Sequence, residues 1–166
     1  MASLRRSTVV SVLFTLFGGP GIILFWVPLA ITRFHLPGSE SLGRKLAASA
    51  LILLGLIPLF DSILRFVRVG RGTLMPNVPT ERLVVSGLYR HVRNPMYVGD
   101  FTVLLGEALL FRSAGVLLWA ACVLAVLQTF ILRYEEPTLL RRHPEDYPAY
   151  KQNVPRWLPR LSAWRQ

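Results

Sequence analysis

Four apolar stretches alternate along the chain with polar, arginine-rich segments. Residues 7–32 carry no charge; at about 1.5 Å per residue a helix of that length exceeds the ~30 Å hydrocarbon core of a bilayer. The string GGPG at 18–21 is expected to kink this first span or to mark a re-entrant break, since neither half alone is long enough to cross. A cleaved signal peptide would have a shorter apolar region followed by a small-residue cleavage motif. Residues 46–60 form a second uncharged run. Extended through Asp61, it predicts a slightly short helix over 46–64 whose C-terminal end meets an interface. The third stretch, 95–111, contains Asp100 and Glu107, and the fourth, 113–132, is an uncharged, predominantly apolar run that carries Trp119. So little separates these two, essentially Arg112, that they should form a tight helical hairpin. The pattern predicts an all-α integral membrane protein in a single domain, 1–166, with about four transmembrane helices.

Composition agrees: 52% of the 166 residues are hydrophobic and 17% charged, with a mean hydropathy of +0.44. The formal charge of +10 then needs a cause, and the positions of the bases supply one. Arg5 and Arg6 precede the first stretch. Arg65, Arg68, Arg71, Arg82, Arg90 and Arg93 lie around the connection between the second and third, and Arg133, Arg141, Arg142, Lys151, Arg156, Arg160 and Arg165 follow the fourth. With four spans these groups share one side, leaving Arg33, Arg44, Lys45 and Arg112 opposite, so the positive-inside rule puts both termini in the cytoplasm. The membrane would be the plasma membrane in a bacterium and the endoplasmic reticulum in a eukaryote. The same rule accounts for most of the positive charge, and no nucleic-acid-binding signature accompanies it. Cys122, the single cysteine, sits among apolar residues and excludes an intrachain disulfide; His35, His91 and His143 are too scattered for a metal motif, and no metal is expected.

A polar face remains, built from the connection 67–94 and the tail 134–166. The connection begins Pro/Gly-rich (GRGTLMPNVPTE), continues with a short β-like RLVV and turns at Ser86 and Gly87. The tail is rich in aromatics, prolines and arginines, is too short for its own core, and should pack back on the helices. Asn94-Pro95 is a good helix start, because Asn can cap free N–H groups and Pro is tolerated at the first helical position. The third helix would thus aim its positive end, beside Arg90 and Arg93, at the interface and suit a carboxylate or phosphate. Any helix entering from the basic side shares part of that character. Asp100 and Glu107, seven residues apart, share a helix face with Tyr97 and Leu104 and should face a bundle interior or wet cavity. Glu107 could equally be a protonated carboxyl bonded to a neighbouring helix. Glu135 and Glu136 stand where positive-inside calls for bases; they are either solvated charges or acids facing the basic helix start, an arrangement suited to a zwitterionic ligand.

The string SGLYRHVRNPMYVGD, followed after a hairpin by YEEPTLLRRHPEDYPAYKQNVPRWLPR, resembles the C-terminal half of the isoprenylcysteine carboxyl methyltransferase and phospholipid methyltransferase family of integral membrane enzymes. The resemblance runs from about residue 70 to 159. It rests on the order of Tyr-Arg-x-x-Arg-x-Pro-x-Tyr-x-Gly, the hairpin, the Glu-Glu pair and the Tyr-x-x-Tyr tail. It implies a cofactor-binding half over about 70–160, with S-adenosylmethionine at the cytoplasmic helix ends under a C-terminal helical lid, and a lipophilic acceptor arriving from the bilayer. By position, Tyr89, Arg93, Asn94, Pro95, Tyr97 and Gly99 would form one wall of the cofactor pocket and Glu135 with Glu136 another. Tyr147, Tyr150 and Arg156 would come from the lid. The family often has His where this chain has Asn94, and Phe-Gly where it has His143-Pro144, so no imidazole proton carrier is available at 94.

Glu107, Asp100 and Arg93 are the candidate catalytic residues. Methyl transfer from a sulfonium is an in-line displacement whose main demand is alignment. A carboxylate acceptor needs no base, whereas an amine must first lose a proton, for which Glu107 or Asp100 is the candidate. No motif names the acceptor: prenylcysteine, a phospholipid amine, another lipid carboxylate or a small hydrophobic molecule all fit. Two other function classes remain, a nicotinamide-dependent membrane reductase related to sterol reductases, and a non-enzymatic transport or assembly subunit in which Glu135 and Glu136 would be dispensable.

Overall fold

The computed structural model describes residues 18–35, 41–68 and 83–165. Residues 7–17 of the first expected span, and the Pro/Gly-rich start of the connection with Arg71 and Arg82, lie outside the described residues. Each apolar stretch is helical where described: α1 over Gly19–Ile31, α2 over Leu42–Arg68, α3 over Pro95–Phe111 and α4 over Ala114–Arg142, with a short α5 over Asp146–Asn153 in the tail. Among the described residues no strand occurs. The β-like reading of RLVV is therefore corrected: residues 83–85 are irregular and find no paired edge, and Gly87–Arg90 follow as a 3-10 turn.

Within α2, Leu42–Arg65 and, in α4, Ala114–Arg142 are long and apolar enough to cross a membrane. Leu46, Leu53, Leu54, Ile57 and Phe60 on α2, and Leu117, Leu118 and Val126 on α4, are exposed. A helix apolar on its outward face as well as its packed one suits lipid rather than water.

The centre is the antiparallel contact of α2 with α3. A Cβ built on Gly99 would lie 2.5 Å from the Gly55 carbonyl oxygen, and one on Gly106 would lie 3.0 Å from that of Ala48. Small residues here bring the backbones together, as in membrane helix pairs. Because the two helices run in opposite directions, the C-terminal end of α2 meets the N-terminal end of α3. The expected hairpin is present: Arg112 takes a left-handed conformation (φ 47°), Ser113 N–H donates to the Ala108 carbonyl (3.1 Å), and the Ser113 hydroxyl caps α4 by accepting from Val116 N–H (3.2 Å).

Two π-helical turns, Ile22–Trp26 and Ile131–Glu135, share a cause. Each stands one residue before a proline. In the first, Val27 N–H reaches back to Ile22 and Pro28 has no N–H, which strips the Ile23 carbonyl of its in-helix donor. The indole N–H of Trp119 supplies the replacement (3.0 Å) and ties α1 to α4. In the second, Glu136 N–H reaches Ile131 and Pro137 follows, so the helix passes the proline and runs on to Arg142. The helix thus extends beyond 132, where the apolar pattern ends, and carries Glu135 and Glu136 within it.

Candidate functional site

The C-terminal end of α2, the turn Gly87–Arg90, the start of α3, the end of α4 and the tail all meet at one end of the helices. Gly87 makes the turn possible twice over: its φ is +52°, and a Cβ there would run into the Arg65 guanidinium. Arg65 is held by Asp61 one helical turn earlier (2.7 Å) and donates to the Ser86 hydroxyl (3.1 Å).

Around this anchor the expected site residues come together. Arg93 donates to the Glu136 carboxylate at 2.8 Å, with the two side chains 10% and 6% exposed. The same carboxylate takes Arg156 at 2.7 Å and Lys151 at 2.9 Å. Three cations on one acid leave a local positive excess. Arg93 also reaches the Tyr147 hydroxyl (3.4 Å), and its Nε is buried with no hydrogen-bond partner. Four residues along, one turn into α3, the Tyr97 hydroxyl donates to Glu135 (3.1 Å). The two adjacent acids of α4 thus engage the start of α3 through separate partners. The first turn of α3 and the π turn of α4 form two sides of one polar cluster.

The tail completes it. Tyr147, Tyr150 and Val154 are buried together, and the Tyr150 hydroxyl donates to the Tyr89 carbonyl (2.8 Å). Burial pushes the Tyr89 and Tyr150 hydroxyls above the ordinary tyrosine range, and it raises that of Tyr147 too, beside the Glu136 charge. After α5 the chain lies along residues 90–93: Arg93 N–H donates to Pro155, Arg160 N–H to His91 and Trp164 N–H to Arg90, at 2.8 to 3.0 Å.

Some residues take other positions than their sequence context suggests. Asn94 stands at the N-cap of α3 but makes no capping bond; its backbone (φ −122°, ψ 60°) turns the side chain toward the tail, where its amide donates to the Arg156 carbonyl (3.4 Å). Pro95 is buried at the first helical position. Gly99 sits at the crossing with α2, a packing position. Asp100 is 5% exposed and Glu107 is partly buried; Asp100 Oδ1 and Glu107 Oε2 lack hydrogen-bond partners, and among the described residues neither acid bonds to the Glu135–Glu136 cluster.

Lys151 was not among the candidates, although it follows Tyr147 by four residues on α5 and so shares its face. Sequence reasoning also passed over a groove of about 460 Å³ between the end of α2 and the tail, lined by Ile57, Asp61, Arg65, Leu88, Arg90 and His91 among others. The i,i+4 spacing of Asp61 and Arg65 was the available signal.

The donor set suits a zwitterionic ligand: a positive excess with an unpartnered Arg93 Nε matches a carboxylate, and the Glu135 carboxylate matches an ammonium or hydroxyls.

Two curated relatives match over 83 residues: the nickel-cobalt-cadmium resistance protein NccN of Alcaligenes xylosoxydans xylosoxydans at 31% identity, and the cobalt-zinc-cadmium resistance protein CzcN of Cupriavidus metallidurans at 32%. The matched stretch is 50% of this chain and 38% of each relative, so it spans well under half of their length. No solved structure matches the chain. The family described as Phospholipid methyltransferase matches residues 44–146, from the first turn of α2 through α4 to the start of α5. The chain belongs to the phospholipid methyltransferase family.

Proposed function

We propose that the chain transfers a methyl group from S-adenosylmethionine to a lipophilic acceptor at a membrane. The observation that carries this reading is the joint engagement of Glu136 by Arg93 and Arg156, with Glu135 engaged by Tyr97 one turn further along α3. In this reading α1 to α4 mark four spans with both termini in the cytoplasm, and residues 143–165 form the lid.

Arg93, Lys151 and Arg156 hold the methionine carboxylate of the donor, with Glu136 keeping the three cations gathered. Glu135 accepts from the ammonium or the ribose, and Tyr97 orients it. Tyr89, Tyr147 and Tyr150 wall the site and exclude water, while Asn94 and Pro95 join the start of α3 to the tail. Gly99 contributes by letting α3 approach α2. When bound, the donor supplies an electrophilic methyl group on a sulfonium. The protein's task is to align it with the acceptor in a dry site. The groove between α2 and the tail, open beside Ile57, is the approach for an acceptor head from the bilayer. If that head is an amine, Asp100 or Glu107 takes its proton; if it is a carboxylate, no base is needed. The relatives' names speak of metal resistance; for this chain any such contribution would run through the modified lipid.

The test incubates detergent-purified protein with radiolabelled S-adenosylmethionine and a total lipid extract. Label entering lipid supports the proposal, and release of methanol on base hydrolysis marks an ester rather than an amine. Glu135→Gln and Glu136→Gln should weaken S-adenosylmethionine binding; unchanged affinity would remove the pocket, and preferential binding of a nicotinamide dinucleotide would point to a reductase.

A further inference from the structure

The tail segment 154–165 has two unlike sides. Its inner edge is fixed on residues 90–93 by the backbone bonds of Pro155, Arg160 and Trp164, reinforced by His91, whose ring nitrogen lies 2.8 Å from the Arg160 carbonyl, and by Arg90 Nε, which donates to the Trp164 carbonyl (2.6 Å). Its outer side carries Leu158 and Leu161, 81% and 102% exposed, the highest values for large hydrophobic residues among the described residues.

The depth of this strap is set at both ends. The Trp157 indole N–H donates to Gln128 (2.9 Å), a residue of α4 that precedes Glu135 by two turns, or about 10 Å along the axis. At the other end Ala163 lines the groove together with Ile57, one turn before Asp61 on α2. The strap therefore folds down the side of the helix ends to the level where Ile57, Phe60 and Val126 turn outward, each more than half exposed. Its charge is of one sign. The segment holds Arg156, Arg160 and Arg165 and no acid; Arg156 is committed to Glu136, while Arg160 bonds to neutral acceptors, the Asn153 carbonyl and the Ser162 hydroxyl. Trp157 and Trp164 bracket the two leucines, and Trp164 packs on Tyr150 (ring centroids 5.9 Å apart). Tryptophan, exposed leucine and arginine in one short segment match the boundary between acyl chains and headgroups.

We propose that residues 157–165 seat in the bilayer interface, with Leu158 and Leu161 inserted at the acyl boundary and Arg160 and Arg165 among anionic headgroups, so that the membrane itself holds the strap against residues 90–93. This rests on α2 and α4 crossing that bilayer and is independent of the reaction catalysed.

The test uses single spin labels in a Cys122→Ala background, introduced by Leu158→Cys, Leu161→Cys, Leu53→Cys or Glu145→Cys; Leu53 is exposed near the middle of the α2 span. Each protein is placed in nanodiscs of phosphatidylcholine with phosphatidylglycerol as the minor lipid. Power saturation then compares access of oxygen with access of a water-soluble nickel chelate. Labels at 158 and 161 should favour oxygen and report a depth between the deep label at 53 and the aqueous label at 145. If they behave like 145 while 53 stays deep, the seat is overturned and the crossing helices stand. If 53 is also open to the chelate, the crossing helices fail and the seat with them. Spin–spin broadening at 158 or 161 that vanishes on dilution with unlabelled protein would assign the leucines to a second copy and likewise overturn the proposal.

Discussion

Arg93 and Glu136 stand 43 residues apart in sequence and 2.8 Å apart in space, with scarcely any exposure on either side chain. Removing one member of a buried pair strands the other, at a cost of about 3 kcal/mol. Glu136→Gln leaves Arg93 and Arg156 facing each other without their shared acid and should lower stability by that order. Lys151, half exposed, adds little. Thermal unfolding in detergent measures this; loss of less than about 1 kcal/mol would mean that water already screens the pair.

Trp119 and the Ile23 carbonyl test the origin of the first π turn. Trp119→Phe keeps the ring and removes the donor, leaving the carbonyl without a partner. The bond is partly buried, so stranding this acceptor should cost about 1 kcal/mol, the low end for a buried group. The change should appear as lower thermal stability with faster hydrogen exchange confined to Gly19–Ile31.

Pro137 holds the second π turn open. Pro137→Ala restores an N–H that can bond in α-helical register, which would rotate Glu135 and Glu136 away from Tyr97 and Arg93. S-adenosylmethionine affinity should fall by about tenfold or more, equivalent to ~1.4 kcal/mol, measurable by calorimetric titration. Unaltered affinity would show that the widened turn is not what aims the acids.

Gly99→Ala places a methyl group against the Gly55 backbone, where no side chain can yield. The helices must part, and overpacking of this kind costs about 1–3 kcal/mol. The lesion should appear as lost stability, with cofactor affinity reduced only as far as the start of α3 shifts.

Alkaline pH probes the buried tyrosines. Burial raises Tyr89 and Tyr150 above the free value of about 10. The folded state therefore holds these protons more tightly than the unfolded chain. Stability should be level below that value and fall as pH rises through it. Unfolding midpoints taken from about pH 8 to about pH 11 should show the fall, and Tyr150→Phe should reduce its slope. A rise in stability over that range would contradict the assignment.

Hydropathy placed helices at the four apolar stretches, as far as these are described, and put the hairpin at Arg112, while the Asn-Pro step set α3 to begin at Pro95, because each is a local property of a short run of residues. The types of residue in the polar cluster were equally legible, since acids beside an arginine-rich apolar boundary stand out in one dimension. The partners were not. That Tyr97 takes Glu135 while Arg93 takes Glu136, that Lys151 joins them, and that Asn94 turns to the tail instead of capping its helix all depend on the register of α2, α3 and α4. That register comes from close approach at Gly55 and Gly99 and from π turns forced by Pro28 and Pro137. Long-range packing decides such geometry, and only the folded chain brings residues 43 positions apart within reach of one proton.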